Sequence, residues 1–173
     1  MRYKILIVDD EPSNLRTLER LFRREHDVLT AASAAEAMML LQQHDIALLI
    51  CDQRMPEMNG IELMVSTVKI RPHMVRILLT GYTDVSSLID AINCGHVYKY
   101  VTKPWVNDDL IITVDRALEH YETIRSRHNL QMTNDRLQAR LAEIAELALS
   151  DDETLLQMPA PVTGESREVV STN

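Results

Sequence analysis

Five residues of this 173-residue chain combine side chains suited to charged oxygen chemistry with a shared context: Asp9 and Asp10, Asp52, Thr80 and Lys103 all stand at or just past the end of a short apolar run. Three carboxylates brought close together repel strongly when ionised, and they need a cation to stay ionised at neutral pH. A hard divalent ion held by oxygens answers that need, and Mg2+ with retained waters suits a shallow site with few protein ligands. Lys103 supplies a point charge for an incoming phosphoryl group, and the Thr80 hydroxyl a hydrogen-bond donor. A metal, a carboxylate nucleophile and an ammonium together make a phosphoryl-transfer site in which Asp52 forms an acyl phosphate.

Such a site requires elements that carry all five residues to one place. Short apolar runs alternate with amphipathic stretches through the first two-thirds of the chain, and the runs at 5–8, 28–31, 46–51, 75–80 and 97–101 are predicted strands. Pro12 opens a helix carrying Leu15, Leu18, Leu21 and Phe22, and Ser33 with Glu36 forms a capping box ahead of Ala37, Met38, Leu40 and Leu41. A third helix presents Ile61, Leu63, Met64 and Val68 and ends before Pro72, because the residue preceding a proline disfavours helix. Thr83 or Asp84 caps a fourth, with Val85, Leu88, Ile89 and Ile92, closed near Gly95. The fifth begins near Asn107 or Asp108 and meets no proline or glycine before Pro159, so it is expected to continue to about Leu149. Strands apolar on both faces, such as Ala47 to Ile50 and Ile77 to Leu79, indicate a parallel sheet covered by helices on each side, a doubly wound α/β domain. Sites in such sheets lie at the carboxyl ends of the strands. With the strands ordered 2-1-3-4-5, strands one, three, four and five are neighbours, and the five polar residues converge.

Composition excludes several rivals. Only four glycines are present, at 60, 81, 95 and 164, too far apart to form a glycine-rich phosphate cradle. The net charge of -8 opposes non-specific attraction to nucleic acid. No apolar run of about 18 residues and no basic start followed by an apolar stretch is present, so neither a membrane span nor a secretory signal is readable and the chain is expected in the cytoplasm. Cys51 and Cys94 lack metal-site spacing with histidine and read as buried or half-buried free thiols. The six scattered histidines read as surface or loop-end residues.

The fifth helix, about 65 Å long at 1.5 Å per residue, exceeds what the domain needs. Within it Leu130, Leu137 and Ile144 recur every seven residues, with Asn134, Leu141 and Ala148 four further on, an a/d seam with Asn at an a position. The upstream series Val114, Tyr121 and His128 is out of phase, so the register shifts between Tyr121 and Leu130. Intermolecular pairing into a coiled-coil homodimer is expected, against the alternative of one amphipathic helix folding back on its own domain. From Ser150 onward the acidic and proline-containing residues to 173 read as a disordered tail.

The sequence resembles the receiver domain of two-component response regulators through Leu6 to Glu11, Asp52 with Met55 Pro56 and Asn59 Gly60, Thr80, and Thr102 to Trp105. The resemblance covers residues 1 to about 122, leaving 123–149 as helical extension and 150–173 as tail. It implies a flavodoxin-like sheet of order 2-1-3-4-5. It also implies that Asp52 accepts a phosphoryl group from a histidine kinase, while Asp9, Asp10, Asp52 and the Arg54 backbone carbonyl hold Mg2+. Lys103, joined to Pro104 by a cis bond, would contact the phosphoryl group. Thr80 and Tyr100 would form a switch that alters the surface of the fourth and fifth predicted helices and the fifth strand.

Leu79 to Tyr82 and Tyr98 to Trp105 look like a receiver subgroup found ahead of HD-GYP phosphodiesterases, histidine kinases and AAA+ activators. After Asp109 there is no HD pair, nucleotide loop or basic helix-turn-helix, so the chain is expected to act by contact with an unknown downstream protein rather than as an enzyme, apart from self-catalysed phosphoryl transfer and hydrolysis. Arg54 and Tyr82 lie two residues past Asp52 and Thr80, where bulky side chains would slow the attack of hydrolytic water. Two alternatives stand beside the main reading: the input part of a larger regulator with an enzymatic output, and a receiver-fold adaptor indifferent to phosphate. Hydrolases that form aspartyl phosphates normally place the nucleophile at the end of strand one in a DxD arrangement, which Asp9 Asp10 Glu11 does not match.

Overall fold

The computed structural model describes residues 1–81 and 97–156, with side chains through Leu147. Its elements are β1 (Lys4–Val8), α1 (Pro12–Phe22), β2 (Asp27–Ala31), α2 (Ala34–Gln43), β3 (Leu48–Asp52), α3 (Gly60–Val68), β4 (Val75–Thr80), β5 (Lys99–Thr102) and α4 (Asn107–Leu156). The five strands form one sheet in the order β2-β1-β3-β4-β5, every pairing parallel. This is the doubly wound, flavodoxin-like arrangement expected from the alternation of apolar runs and amphipathic stretches.

The sheet is apolar on both faces because successive side chains of a strand point to opposite sides and both sides are covered. On one face Leu6, Val8, Leu49, Cys51 and Leu78 pack against Ala37 and Leu41 of α2 and Leu63 and Met64 of α3. On the other, Ile5, Ile7, Leu48, Ile50, Ile77 and Leu79 meet Leu18 and Phe22 of α1 and Leu110, Val114, Ala117 and Leu118 of α4. A Leu-to-Ala truncation at such positions typically costs about 2–5 kcal/mol, so the two layers fix the strand ends firmly.

Local signals start the helices where the sequence places them. Pro12 occupies the first turn of α1, where its missing N–H costs nothing. The Ser33 side chain accepts from the Glu36 N–H, and the Glu36 carboxylate reaches back to the Ala32 N–H. At α2 the Glu36 carboxylate thus takes the N–H one residue before the N-cap, whereas a reciprocal capping box, Asn59 with Glu62, opens α3 and is absent from the sequence reading.

Several boundaries differ from the sequence reading. The β3 ladder begins at Leu48 rather than Ile46 and takes in Asp52, which pairs with Leu79. β5 is Lys99–Thr102 rather than 97–101. The last helix runs past Leu149 to Leu156, taking in residues 150–156 assigned above to the tail, because nothing before Pro159 interrupts its hydrogen bonding. The fourth predicted helix, with Tyr82 and Cys94, and the tail beyond Leu156 lie outside the described residues.

Residues Met1–His128 form one compact unit and a second begins at Asn129. In the first, Tyr121 packs with the core and is edge-on to Tyr3, Tyr3 Oη donates to Glu122, and the His128 ring lies 4.5 Å from that of His73. In the second, Leu130, Leu137, Leu141 and Ile144 are exposed along α4. Among the histidines, read as surface or loop-end residues, His26 stands in the loop between α1 and β2 but is 7% exposed and packed beside Tyr3, and among the described residues its Nδ1 has no hydrogen-bond partner.

Candidate functional site

Four parallel strands deliver the site. Asp9 follows the last residue of β1, Asp52 ends β3, Thr80 ends β4 and Lys103 follows the last residue of β5. Because β1, β3, β4 and β5 are consecutive neighbours, these carboxyl ends lie side by side. One ligand oxygen from each of Asp9, Asp10 and Asp52 lies within 4.8 Å of the others. Asp9 and Asp52 are buried, and Asp10 is exposed.

Lys103 joins the two buried carboxylates. Its Nζ lies 2.6 Å from Asp52 Oδ1 and 2.9 Å from Asp9 Oδ2. The remaining contacts hold these oxygens in place. The Arg54 N–H donates to Asp52 Oδ2 (3.1 Å), the Glu11 N–H to Asp9 Oδ1 (2.9 Å), and Asn14 Nδ2 to Asp9 Oδ2 (2.9 Å). The Lys103 N–H donates to the Thr80 carbonyl, which ties the two strand ends together, and the Lys103–Pro104 bond is cis.

Burial raises the pKa of the Asp52 carboxyl above its ordinary value, and the neighbouring Asp9 charge adds to this. The Lys103 ammonium and the Arg54 N–H oppose the rise without cancelling it. For Lys103, burial works against the ammonium, but its bonds to Asp52 and Asp9 outweigh burial and raise its pKa. Asp52 is thus a desolvated carboxylate kept beside a cation, and a second cation would relieve the remaining repulsion. All three donors are hard carboxylate oxygens, one solvent-facing, which fits Mg2+ with retained waters.

Gly60 makes the approach possible. Its N–H donates to the Gln53 carbonyl, and a Cβ added there would stand 2.3 Å from the Asp52 carbonyl oxygen and 2.9 Å from Leu78 Cδ1. Cys51, next to Asp52, is fully buried, and burial pushes its thiol pKa up, so it is a packing residue rather than a nucleophile.

The other predicted site residues are placed as follows. Thr80 is 5% exposed and its hydroxyl donates to the Gly81 carbonyl. Tyr100 is 44% exposed. The backbone of Arg54 meets Asp52 through its N–H, whereas the resemblance assigns its carbonyl to the metal. Sequence reasoning missed Asn14 and the Glu11 N–H. The available signal was a short amide side chain in the first turn of the helix that follows an acidic pair.

The response regulator receiver domain family matches residues 5–115. The hydrogenase transcriptional regulatory protein HoxA of Cupriavidus necator is 39% identical over 128 residues, which are 74% of this chain and 27% of that protein. The crystal structure of adenylate cyclase from Rhodopirellula baltica matches with a TM-score of 0.73 at 30% identity, covering 75% of this chain and 97% of that one. The signal receiver domain of an HD domain-containing protein from Pseudomonas fluorescens Pf-5 matches with a TM-score of 0.68 at 33% identity, covering 71% and 99%. This chain belongs to the response regulator receiver domain family, whose members are phospho-accepting switches.

Proposed function

We propose that the chain is a phosphorylation-dependent response regulator in which Asp52 accepts a phosphoryl group from a histidine kinase. The observation that carries this reading is the desolvated Asp52 carboxylate, 2.6 Å from the Lys103 ammonium and clustered with Asp9 and Asp10. In the transfer, an Asp52 oxygen forms a bond to phosphorus, the bond from phosphorus to the donor histidine nitrogen breaks, and that nitrogen keeps the electron pair. Asp9, Asp10, Asp52 and the Arg54 carbonyl hold Mg2+, which supplies charge neutralisation for the phosphoryl oxygens when bound. Lys103 binds a phosphoryl oxygen. Thr80 and Tyr100 read the modification, the hydroxyl turning toward the phosphoryl group and the exposed ring turning inward.

The output is altered dimerisation or binding of a downstream protein, without catalysis beyond self-phosphorylation and hydrolysis. The exposed Leu130, Leu137, Leu141 and Ile144 support a homodimer through the helical extension. The charge of -8 argues against nucleic acid as a partner, and among the described residues no helix is long and apolar enough to cross a membrane. Together these favour a cytoplasmic site of action. A second reading, the input part of a larger regulator with an enzymatic output, draws support from the relatives, since the chain spans 27% of HoxA. The coding sequence after Asn173 distinguishes the two.

The deciding experiment is light scattering of the wild type and of Asp52→Asn, each with Mg2+ and beryllofluoride. The wild type is expected to change mass or shape and Asp52→Asn to stay unchanged; a wild type that does not respond removes the switch. Leu137→Asp is expected to yield monomers, and a surviving dimer would place the interface elsewhere.

A further inference from the structure

Asp9 is only 1% exposed, yet its carboxylate receives three donors. The Glu11 N–H takes Oδ1, and Oδ2 is shared by Lys103 and Asn14, each at 2.9 Å. The two donors on Oδ2 differ in one respect that matters for a metal. The Lys103 ammonium repels an incoming divalent cation, and it is already committed to Asp52 at 2.6 Å. The Asn14 amide is neutral, so it stabilises the carboxylate without opposing a second cation. When Lys103 turns toward a phosphoryl group, a buried Asp9 oxygen would lose its charged partner, and an unsatisfied buried acceptor is costly.

We propose that Asn14 is the positioning residue of the metal site: its hydrogen bond holds the Asp9 carboxylate in one orientation in every state in which Lys103 is drawn away. The proposal rests on the reading of the acidic cluster as an Mg2+ site. Its placement explains its effect. Asn14 lies in the first turn of α1, and its own N–H donates to the Glu11 carbonyl at 3.1 Å. The Glu11 N–H in turn donates to Asp9 Oδ1, so the turn from β1 into α1 closes around Asp9 from both oxygens. Groups that hold a metal ligand in this way typically change affinity about 10–100-fold when removed.

The test measures divalent binding to the full chain by electron paramagnetic resonance of Mn2+, with Mg2+ determined by competition. Asn14→Leu keeps the side-chain size and removes the donor, and its Mg2+ Kd is expected to rise on the order of 10–100-fold with the thermal midpoint little changed. Asn14→Gln, which keeps the amide, should recover part of the loss, and Asn14→Ala serves the same comparison should the leucine variant not fold. In an Asp9→Asn background, Asn14→Leu should change the Kd by less than twofold, because the group through which it acts has gone. A Kd for Asn14→Leu within twofold of the wild type overturns the proposal, as does an undiminished loss in the Asp9→Asn background. A wild type that binds neither ion removes the metal reading and this proposal together, whereas a wild type that binds and an Asn14→Leu that binds equally removes this proposal alone.

Discussion

Lys103 Nζ stands 2.6 Å from Asp52 Oδ1, and these residues are carried by β5 and β3, strands separated in the sheet by β4. The ion pair therefore reaches across the carboxyl end of β4. Replacing Lys103 with Met removes the cation that offsets burial at Asp52. In metal-free protein the Asp52 carboxyl is expected to titrate at higher pH than in the wild type, as read by carboxyl-carbon NMR. The variant should also be less stable than the wild type near neutral pH, with the gap closing on acidification as Asp52 protonates. An unchanged Asp52 titration would mean that burial alone sets it.

Asp52→Asn should be more stable than the wild type at neutral pH. The folded-state pKa of Asp52 is raised, by burial first. Its contribution to stability is therefore complete below the unfolded value of about 3.9 and is lost as the pH rises through the folded one. Removing the ionisable group removes that loss. Metal-free thermal melts should show a Tm for Asp52→Asn a few degrees above the wild type near pH 7 and a difference that vanishes below about pH 4. A variant less stable than the wild type near neutral pH would mean that the Lys103 pairing outweighs burial.

Gly60→Ala tests the close approach behind the acceptor. The added Cβ meets the Asp52 carbonyl at 2.3 Å, a backbone atom that moves only with β3, so the substitution should cost about 1–3 kcal/mol or more. Urea denaturation reads the cost, and labelling with a small acyl phosphate should fall with it, since the displaced strand end carries Asp52, the proposed acceptor. Full stability in Gly60→Ala would show that the loop into α3 yields without moving Asp52.

His26 predicts an acid sensitivity distant from the site. Burial, foremost, lowers its pKa from the ordinary 6.5, and among the described residues its Nδ1 has no partner. The unfolded chain then takes up a proton before the folded one does, so stability is lost as the pH falls from the unfolded value toward the depressed folded one. His26→Phe keeps the ring beside Tyr3 and removes the titration. Its urea midpoint should be flatter than that of the wild type between about pH 7 and pH 5; equal slopes would assign the acid loss to the carboxylates.

Much of the domain is legible in the chain because its signals are local. Ile5 to Val8 and Leu48 to Ile50 are apolar without alternation, which only a sheet covered on both faces accommodates, and Ser33 with Glu36 sets the start of α2. Where the signals compete, the reading slips. Asp52 looks like the residue after a strand because it is charged, yet it pairs with Leu79 inside the ladder. His26 reads as a surface or loop-end residue by type and stands at the end of the loop before β2, yet it is buried beside Tyr3, a long-range contact with no local mark.

The sequence by itself determined the alternation of strands and helices and marked the acidic pair, Asp52, Thr80 and Lys103, because each sits at a strand end where period and polarity change together. Only the tertiary structure decided how those residues share their bonds. That Lys103 joins Asp52 to Asp9 follows from strand ends gathered along one edge of the sheet though far apart in the chain, while the Asn14 bond to the same Asp9 oxygen and the lack of room for a side chain at Gly60 follow from how α1 and α3 leave their strands. The distances that set charge, hydrogen bonding and steric room at the site arise only once the sheet has closed.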